Sequence, residues 1–333
     1  MNRRKFLGRV FALWTIPISV LAQPSPKKWR IGVLAFGTTI TGSSAVSTTN
    51  PPSPVLRQAF EELGYVEGKN VIYVAKTAEG RIERLPELAH ALVASGVDVI
   101  VTTGSEATRA AKQATASIPI VFLGPSYPVE EGLVASFARP GGNITGITLA
   151  HSDHVSKQLQ LLREVAPTLS DLAVVWDPNN PGNAFIVRDM ESVAQSLQLK
   201  VQSVLIRAPG EADSALAFIA KLRPGALIVY PSPVVYPLGQ RIAEVAIKLR
   251  VPSIAPAKQF AERGLLLSYG ADVRDLDRRV AVYVDRILKG AKPADLPVER
   301  PTKFELTVNM RTAKAIGVTI PQSLLLRAND VIQ

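Results

Sequence analysis

Short polar segments follow several predicted strands, and their donor groups suit the binding of a small organic anion. Gly104, Ser105 and Glu106 come directly after a strand that ends near Thr103, and they open the next predicted helix. Because the first N–H groups of a helix have no partner within it, they could bind a carboxylate together with the Ser105 hydroxyl. A simple N-cap role explains Ser105 equally well, and the two roles are compatible.

A second polar segment, Asp177-Pro-Asn179-Asn180, follows a later strand in the comparable position. It is predicted either to contact the same ligand or to form only a turn and a helix cap. Aromatic and hydroxyl side chains at other strand ends offer flat area for an organic molecule. These further binding candidates are Ser126, Tyr127, Tyr230, Ser232, Ser268 and Tyr269. The expected ligand is a small carboxylate-bearing molecule with an apolar or aromatic body.

Sequence signatures of catalysis, metal binding and cofactor binding are missing. The motifs Gly-x-Gly-x-x-Gly, Gly-x-Ser-x-Gly and His-Glu-x-x-His do not occur, and there is no cysteine. The histidines are His90, His151 and His154. His151 and His154 could share one face of a turn, but two imidazoles without a third ligand make a poor zinc site. We predict a binding protein without metal or cofactor; the alternative is an exported α/β enzyme with an unrecognised active site.

The elements that position these residues alternate regularly along the chain. Short β-branched apolar runs are separated by amphipathic stretches of ten or more residues, which is typical of a parallel sheet covered by helices. The first series predicts strands at 30–35, 70–75, 97–102, 118–123 and 144–149. The second predicts strands at 172–176, 200–205, 226–230, 251–255 and 265–269.

The two series match step for step, which indicates an internal duplication. Residues 96–105 correspond to 225–232, and 118–122 to 251–255. The predicted fold class is therefore α/β, with two similar doubly wound parallel-sheet lobes joined by a multi-strand hinge. The predicted lobes are 28–147 plus 265–292, and 148–264 plus 293–333. Gly141 and Gly142 are hinge candidates, or else form an ordinary tight turn.

The long segment 37–53 is too rich in Gly, Ser, Thr and Pro to be an ordinary strand-to-helix loop. It is predicted to be either a surface insertion or a lid over the cleft between the lobes.

Residues 1–22 have the pattern of an export signal. Arg3, Arg4, Lys5 and Arg9 precede a short apolar run, and Val20-x-Ala22 offers a small-residue cleavage site. The apolar run is shorter than the roughly 20 residues that a transmembrane helix needs. The paired arginines also resemble the twin-arginine motif, although the general export route accepts them too. The predicted location is the periplasm.

The charge of the remaining chain argues against a nucleic-acid partner. The signal holds four of the 38 Lys+Arg and no acid, so 34 basic against 28 acidic residues leave a net charge of +6. This surplus is spread along the chain without a run of like charge, which indicates a solvated surface. We expect a freely soluble monomer.

Several longer blocks are similar to one known family. They lie at 62–71 (ELGYVEGKNV), 138–146 (ARPGGNITG), 267–270 (LSYG), 281–297 (AVYVDRILKGAKPADLP) and 301–306 (PTKFEL). With these blocks, residues 29–333 resemble the ABC-transporter substrate-binding family whose better-known members take up tryptophan, tyrosine or phenylalanine. The family is a branch of the type I periplasmic-binding-protein fold.

The resemblance implies a receptor that traps a small solute between its lobes. It also implies an ABC permease in the inner membrane, with its cytoplasmic ATPase, as the partner. Family members usually carry an acid at the position of Tyr127, and often an acid or amide at that of Ser232. Such acids would bind a ligand ammonium group, a role that Asp177 or Asp272 could take here.

Export is expected to remove residues 1–22 and leave Gln23 as the first residue, which N-terminal sequencing of the secreted chain would check. Replacing Arg3 and Arg4 by lysine should block export on the twin-arginine route and leave it largely intact on the general route. An uncleaved, membrane-embedded chain would contradict the predicted location.

Overall fold

The first of two sheets is built from the N-terminal part of the chain. The computed structural model describes residues 27–36, 52–149 and 152–333. The strands are β1 (Trp29–Ala35), β2 (Val71–Thr77), β3 (Val99–Thr103), β4 (Ile120–Gly124) and β5 (Ile144–Thr148). They are parallel, in the order β2-β1-β3-β4-β5. The helices among them are α1 (Pro54–Glu62), α2 (Leu85–Ala94) and α3 (Gly104–Ala114).

The second sheet has seven strands. They are β6 (Asp171–Trp176), β7 (Lys200–Leu205), β8 (Leu227–Val229), β9 (Ser253–Ala255), β10 (Leu267–Ala271), β11 (Phe304–Asn309) and β12 (Asp330–Ile332). The later helices are α4 (Ser152–Val165), α5 (Pro181–Ser196), α6 (Ala212–Leu222), α7 (Gly239–Leu249), α8 (Lys258–Glu262), α9 (Val273–Leu288), α10 (Met310–Ile316) and α11 (Gln322–Leu325).

The strand order confirms the two similar doubly wound units. In the second sheet the order is β12-β11-β10-β9-β8-β6-β7, so its β7-β6-β8-β9-β10 part repeats the first sheet. Strand β11 is antiparallel to β10 and extends this sheet beyond the duplicated unit. Strands β11 and β12 were not among the predicted strands.

Each sheet is buried on both faces, which explains the continuous apolar runs of its strands. In β3, Val99 and Val101 pack in one core with Phe60, whereas Ile100 packs in the opposite core with Phe122. Helix α9 covers the first of these cores through residues such as Val280.

The predicted lobe boundaries differ from the structure at two places. Residues 267–271 were expected in the first lobe, but as β10 they pair with β9 and β11 in the second sheet. Leu296 and Val298 were expected in the second lobe, but they pack in the cores of the first. Both differences arise because the chain crosses after β10 and returns only after residue 299.

Backbone hydrogen bonds join the crossing segments. The Glu299 nitrogen donates to the Gly146 oxygen at 3.0 Å, and the Thr148 nitrogen donates to the Glu299 oxygen at 2.9 Å. On the other side, the Asp272 nitrogen donates to the Lys303 oxygen at 3.0 Å. The chain also passes from β5 of the first lobe to α4 of the second, so that three connections make up a three-segment hinge, as the predicted fold class requires.

Gly141 and Gly142 do not lie in this hinge. They precede β5 with φ angles of 73° and 64°, so the tight-turn alternative is correct. The predicted signal at 1–22, most of the insertion (37–51) and His151 lie outside the described residues. Within the described ranges, none of the helices has the length and apolarity needed to cross a membrane.

Gly146→Ala is expected to destabilise the first lobe. A Cβ at this position would lie 2.2 Å from the Phe122 carbonyl oxygen, because β4 and β5 pair there. Overpacking of a core typically costs about 1–3 kcal/mol, which should lower the melting temperature by about 2–10 °C. The measurement is differential scanning calorimetry.

Gly210→Ala is the matched control, because Gly210 is exposed and an added Cβ would have no atom within 4 Å. Equal melting of both variants would contradict the predicted strain at Gly146.

Candidate functional site

A cavity of about 720 Å³ lies between the two lobes. It lies at the carboxyl ends of parallel strands, where open α/β sheets bind ligands. The first lobe contributes residues at or just after the ends of β1, β3 and β4, such as Ala35, Thr103 and Gly124. The second contributes the equivalent ends of β8 and β9, such as Tyr230 and Pro256. The duplicated topology therefore brings two binding edges face to face.

Most of the sequence-predicted binding residues line this cavity. The nine that do so are Gly104, Ser105, Glu106, Ser126, Tyr127, Asn180, Tyr230, Ser232 and Ser268. They come from both lobes, although they are up to 164 positions apart between Gly104 and Ser268. The strand-end rule, which is the expectation that open α/β sheets bind ligands at the carboxyl ends of their strands, therefore located cavity-wall residues in both lobes.

Asp177, Asn179 and Tyr269 were also predicted to bind the ligand, but they are not among the cavity-lining residues. Asp177 is buried and its Oδ1 accepts from the Asn179 nitrogen at 2.9 Å, which fits the turn alternative. Ser268 and Gly270 line the cavity, so Tyr269 between them belongs to the opposite face of β10. Its ring stacks on Phe304 at 5.6 Å between centroids.

The starts of two helices explain the polar cavity wall. Thr103 occupies the N-cap of α3 without a side-chain capping bond, so the proposed N-cap role of Ser105 is wrong. The Thr103 Oγ1 is buried and has no hydrogen-bond partner among the described residues. Asn180 caps α5, because its Oδ1 accepts from the Asn183 nitrogen at 3.1 Å. The Thr103 hydroxyl is thus available to a bound molecule.

Aromatic rings form much of the apolar wall. Phe36, Tyr127, Tyr230 and Tyr236 line the cavity. The Tyr230 hydroxyl donates to Gln158 Oε1 at 3.1 Å, and burial raises the pKa of Tyr230 well above its usual value. Burial also raises the pKa of Tyr236. Both phenols are therefore neutral and add apolar area to the site.

Tyr236 is a site residue that the sequence analysis missed. It lies in a single 3₁₀ turn, Tyr236–Leu238, that follows β8, and not at a strand end. The Arg263 guanidinium lies 4.3 Å from the Tyr236 ring centroid, and Arg263 Nη1 donates to the main-chain oxygen of Tyr236 at 2.6 Å. The strand-end rule would have included Tyr236 only if it also covered the first turn of helix that follows a strand.

His154 lines the cavity but makes a structural contact. Its Nε2 is hydrogen bonded to the main-chain oxygen of Tyr269, and its ring packs edge-on to Tyr269 at 5.4 Å. Burial lowers the pKa of His154 to about 4, so the ring is neutral and donates this bond. No group of three or more potential metal ligands lies together within the ranges that the structure covers.

Charged residues in the cavity wall are mostly paired. Lys258 Nζ lies 2.9 Å from Asp330 Oδ2, and Arg274 Nη2 lies 2.9 Å from Glu305 Oε1. Asp272, one of the acids considered for a ligand ammonium, caps α9 by accepting from the Arg274 nitrogen at 2.9 Å. Because these side chains are paired with one another or with Asp330, they leave little unpaired charge in the part of the cavity wall that they form.

Direct contacts join the lobes beside the cavity. Asn180 Nδ2 donates to Glu106 Oε1 at 2.8 Å, and the Tyr127 hydroxyl donates to Asp189 Oδ2 at 2.5 Å. The Tyr127 ring also packs against Phe185, with centroids 5.5 Å apart. Tyr127 and Glu106 belong to the first lobe and their partners to the second. The structure is therefore a form in which the lobes touch.

Comparison with known proteins agrees with this geometry. A tyrosine-binding protein from Clostridioides difficile is 26% identical over 264 residues, which cover 78% of this chain and 75% of the relative. The crystal structure of a conserved domain protein from Vibrio cholerae has a TM-score of 0.83 at 26% identity, covering 92% of this chain and 100% of that one. A Streptococcus pneumoniae ABC domain in complex with L-Trp has a TM-score of 0.82 at 23% identity and the same coverage.

The resemblance inferred from the shared blocks is confirmed by a family model. The model of the ABC transporter substrate binding protein matches residues 54–332, which include both sheets apart from β1. A small-molecule ligand and an ABC transporter partner follow from that membership. Two facing strand-end edges, a three-segment hinge and this match thus place the chain in the family of ABC transporter substrate-binding proteins.

Proposed function

We propose that this protein is the periplasmic receptor of an ABC importer for an aromatic amino acid or a related carboxylate. The observation that carries the proposal is the cavity of about 720 Å³ whose walls combine aromatic rings with strand-end polar groups from both lobes. Its size suits a small organic molecule. The tyrosine-binding relative supports the choice of ligand class.

The cavity walls suit a flat ligand with one polar end. Tyr236 and Phe36 offer apolar area, and aromatic pairs contribute about 0.5–1.5 kcal/mol beyond simple area burial. Helices α3 and α5 begin at or beside cavity-lining residues, and their N-termini favour a ligand carboxylate. The unpartnered Thr103 hydroxyl adds a further hydrogen-bonding group.

Ligand capture proceeds by closure of the lobes about the hinge. A solute held by both lobes stabilises the closed form relative to the open form, since only the closed form offers both walls. The Tyr127–Asp189 and Asn180–Glu106 hydrogen bonds accompany closure, because each joins one lobe to the other.

The closed receptor then presents the solute to the permease in the inner membrane, whose cytoplasmic ATPase drives uptake. The protein acts as a freely diffusing monomer, exported by the signal at 1–22, with no nucleic-acid partner and no catalytic step. The competing hypothesis of an exported enzyme is tested by mass spectrometry of compounds retained on purification. An unmodified solute supports the receptor, whereas a product of turnover supports the enzyme.

L-tyrosine, L-tryptophan or L-phenylalanine is expected to raise the melting temperature. A ligand at 100 times its dissociation constant stabilises the folded state by about 2.7 kcal/mol, which corresponds to about 5–10 °C here. Thermal shift and calorimetric titration measure the effect, with galactose and arabinose as comparison solutes. A response to the sugars alone would overturn the proposed ligand class.

Tyr236→Ala is expected to weaken that binding because it removes a ring from the cavity wall. Phe218→Ala is the control, since Phe218 is an exposed aromatic residue on α6 that does not line the cavity.

Tyr127→Phe is expected to weaken ligand affinity about five- to tenfold, because it removes one hydrogen bond across the lobes and keeps the ring. Tyr65→Phe is the matched control, since the Tyr65 hydroxyl donates to Asp285 within the first lobe. X-ray scattering should show a smaller radius of gyration when ligand saturates the wild-type protein. An unchanged profile at saturation, or equal affinities of the two variants, would count against closure through Tyr127.

A further inference from the structure

Glu106 is the one charged residue of the cavity wall that has no counter-charge within 4 Å in the described part of the chain. The other five are paired: Lys258 with Asp330, Arg274 and Glu305 with each other, Asp272 with Arg274, and Glu79 with Arg84. Glu106 instead accepts one hydrogen bond from a neutral group, Asn180 Nδ2, at 2.8 Å. The carboxylate therefore has no salt-bridge partner in the described part of the chain.

A second acid, Glu131, lies close enough to Glu106 for its charge to raise the Glu106 pKa. The Glu131 side chain is 0% exposed, and neither carboxylate oxygen has a hydrogen-bond partner among the described residues. The nearest cation, Arg109 Nη2, lies 3.9 Å from Oε2 and is itself 42% exposed. Glu131 Oε1 would lie 3.2 Å from a Cβ on Gly182, a residue of the cavity wall.

Burial and the neighbouring negative charges both raise the pKa of the Glu106 carboxyl. Burial raises the pKa of its carboxyl, and the negative charges of Glu131 and Asp177 raise it further, against the opposing effects of a backbone hydrogen bond and Arg109. An ionised carboxylate in such a place is destabilised unless a cation approaches it. Closing the lobes over an empty cavity therefore encloses an unfavourable charge, which a positively charged ligand group would neutralise.

We infer that Glu106 binds the ammonium group of the transported solute and selects amine-bearing solutes over carboxylates that lack an amine. This inference rests on the proposed receptor function and narrows its ligand class. The ammonium would form charge-assisted hydrogen bonds to the carboxylate, which are about twice as strong as neutral ones. Glu106 would thereby take the role considered for Asp177 and Asp272. Asp177 lies outside the cavity wall, and Asp272 caps helix α9.

The same contact couples ligand binding to closure. Glu106 belongs to the first lobe, and its hydrogen-bond partner Asn180 caps α5 of the second. A ligand ammonium on Glu106 would therefore act at the point where the two lobes meet. Glu106 is in this sense both a ligand-binding and a specificity-determining residue.

The test compares three solutes that share one ring: L-tyrosine, tyramine and 3-(4-hydroxyphenyl)propanoate. Calorimetric titration of the wild-type protein should give affinities for tyrosine and tyramine at least tenfold tighter than for the propanoate. Glu106→Gln should lose at least tenfold for the two amines and leave the propanoate unchanged or tighter. Glutamine keeps the side-chain volume and an oxygen that can accept from Asn180.

Glu87→Gln is the matched control, because Glu87 lies in the first turn of α2 as Glu106 lies in that of α3, but it is exposed and does not line the cavity. It should keep wild-type affinities for all three solutes. Circular dichroism and melting of each variant check folding, and the wild-type comparison of the three solutes does not depend on any variant.

The outcomes separate this inference from the proposed aromatic ligand. Binding of the propanoate as tightly as tyramine, or full amine affinity in Glu106→Gln, overturns the role of Glu106. If the aromatic solutes fail but isopentylamine binds and Glu106→Gln loses it, the aromatic class is wrong and the role of Glu106 is upheld. If tyrosine, tyramine and isopentylamine all fail to bind, the inference is overturned.

Discussion

The three-segment hinge is the constraint on which the rest of the structure depends. The backbone pairs between Glu299 and β5, and between Asp272 and Lys303, fix where each sheet ends relative to the other. In a doubly wound sheet, the loops that bind ligands follow the carboxyl ends of the parallel strands and so lie at one edge of the sheet. This arrangement therefore places two binding edges opposite each other. A single tether would leave the lobes free to turn, whereas three segments restrict them mainly to opening and closing. The cavity is a consequence of that restriction.

Much of the fold could be predicted from the sequence because buried parallel strands are continuous apolar runs of recognisable length. Strand β7 has the predicted bounds, and the other predicted strands differ by at most two residues at either end. Strand β10 was assigned to the wrong lobe, although the duplication makes it the fifth strand of the second series and so places it beside β9. Helix α9 lies within the segment 265–292 that was predicted for the first lobe, and it packs in the core of that lobe.

The site shows a similar division between local and long-range information. Most of the residues predicted from strand-end position line the cavity. Tyr269 does not, because neighbouring residues of a strand face opposite ways. Tyr236 was missed because it follows its strand by a full turn. The Glu106 carboxylate could be singled out only in the folded chain, because the other charged residues of the cavity wall are in ion pairs there. A sequence shows where acids are, but the ion pairs that neutralise Lys258, Arg274 and Asp272 exist only in the folded chain.

Electrostatics explains how a receptor with few polar contacts could still close selectively. In an open cleft, water would stabilise the Glu106 carboxylate, and closure would remove part of that stabilisation. The Glu131 side chain is fully covered, and its carboxylate oxygens have no hydrogen-bond partner in the described part of the chain. An empty closed form is thus opposed by the charges that a cationic group on the ligand would satisfy. Selectivity would then arise from the cost of closing without the right ligand as much as from contacts made with it.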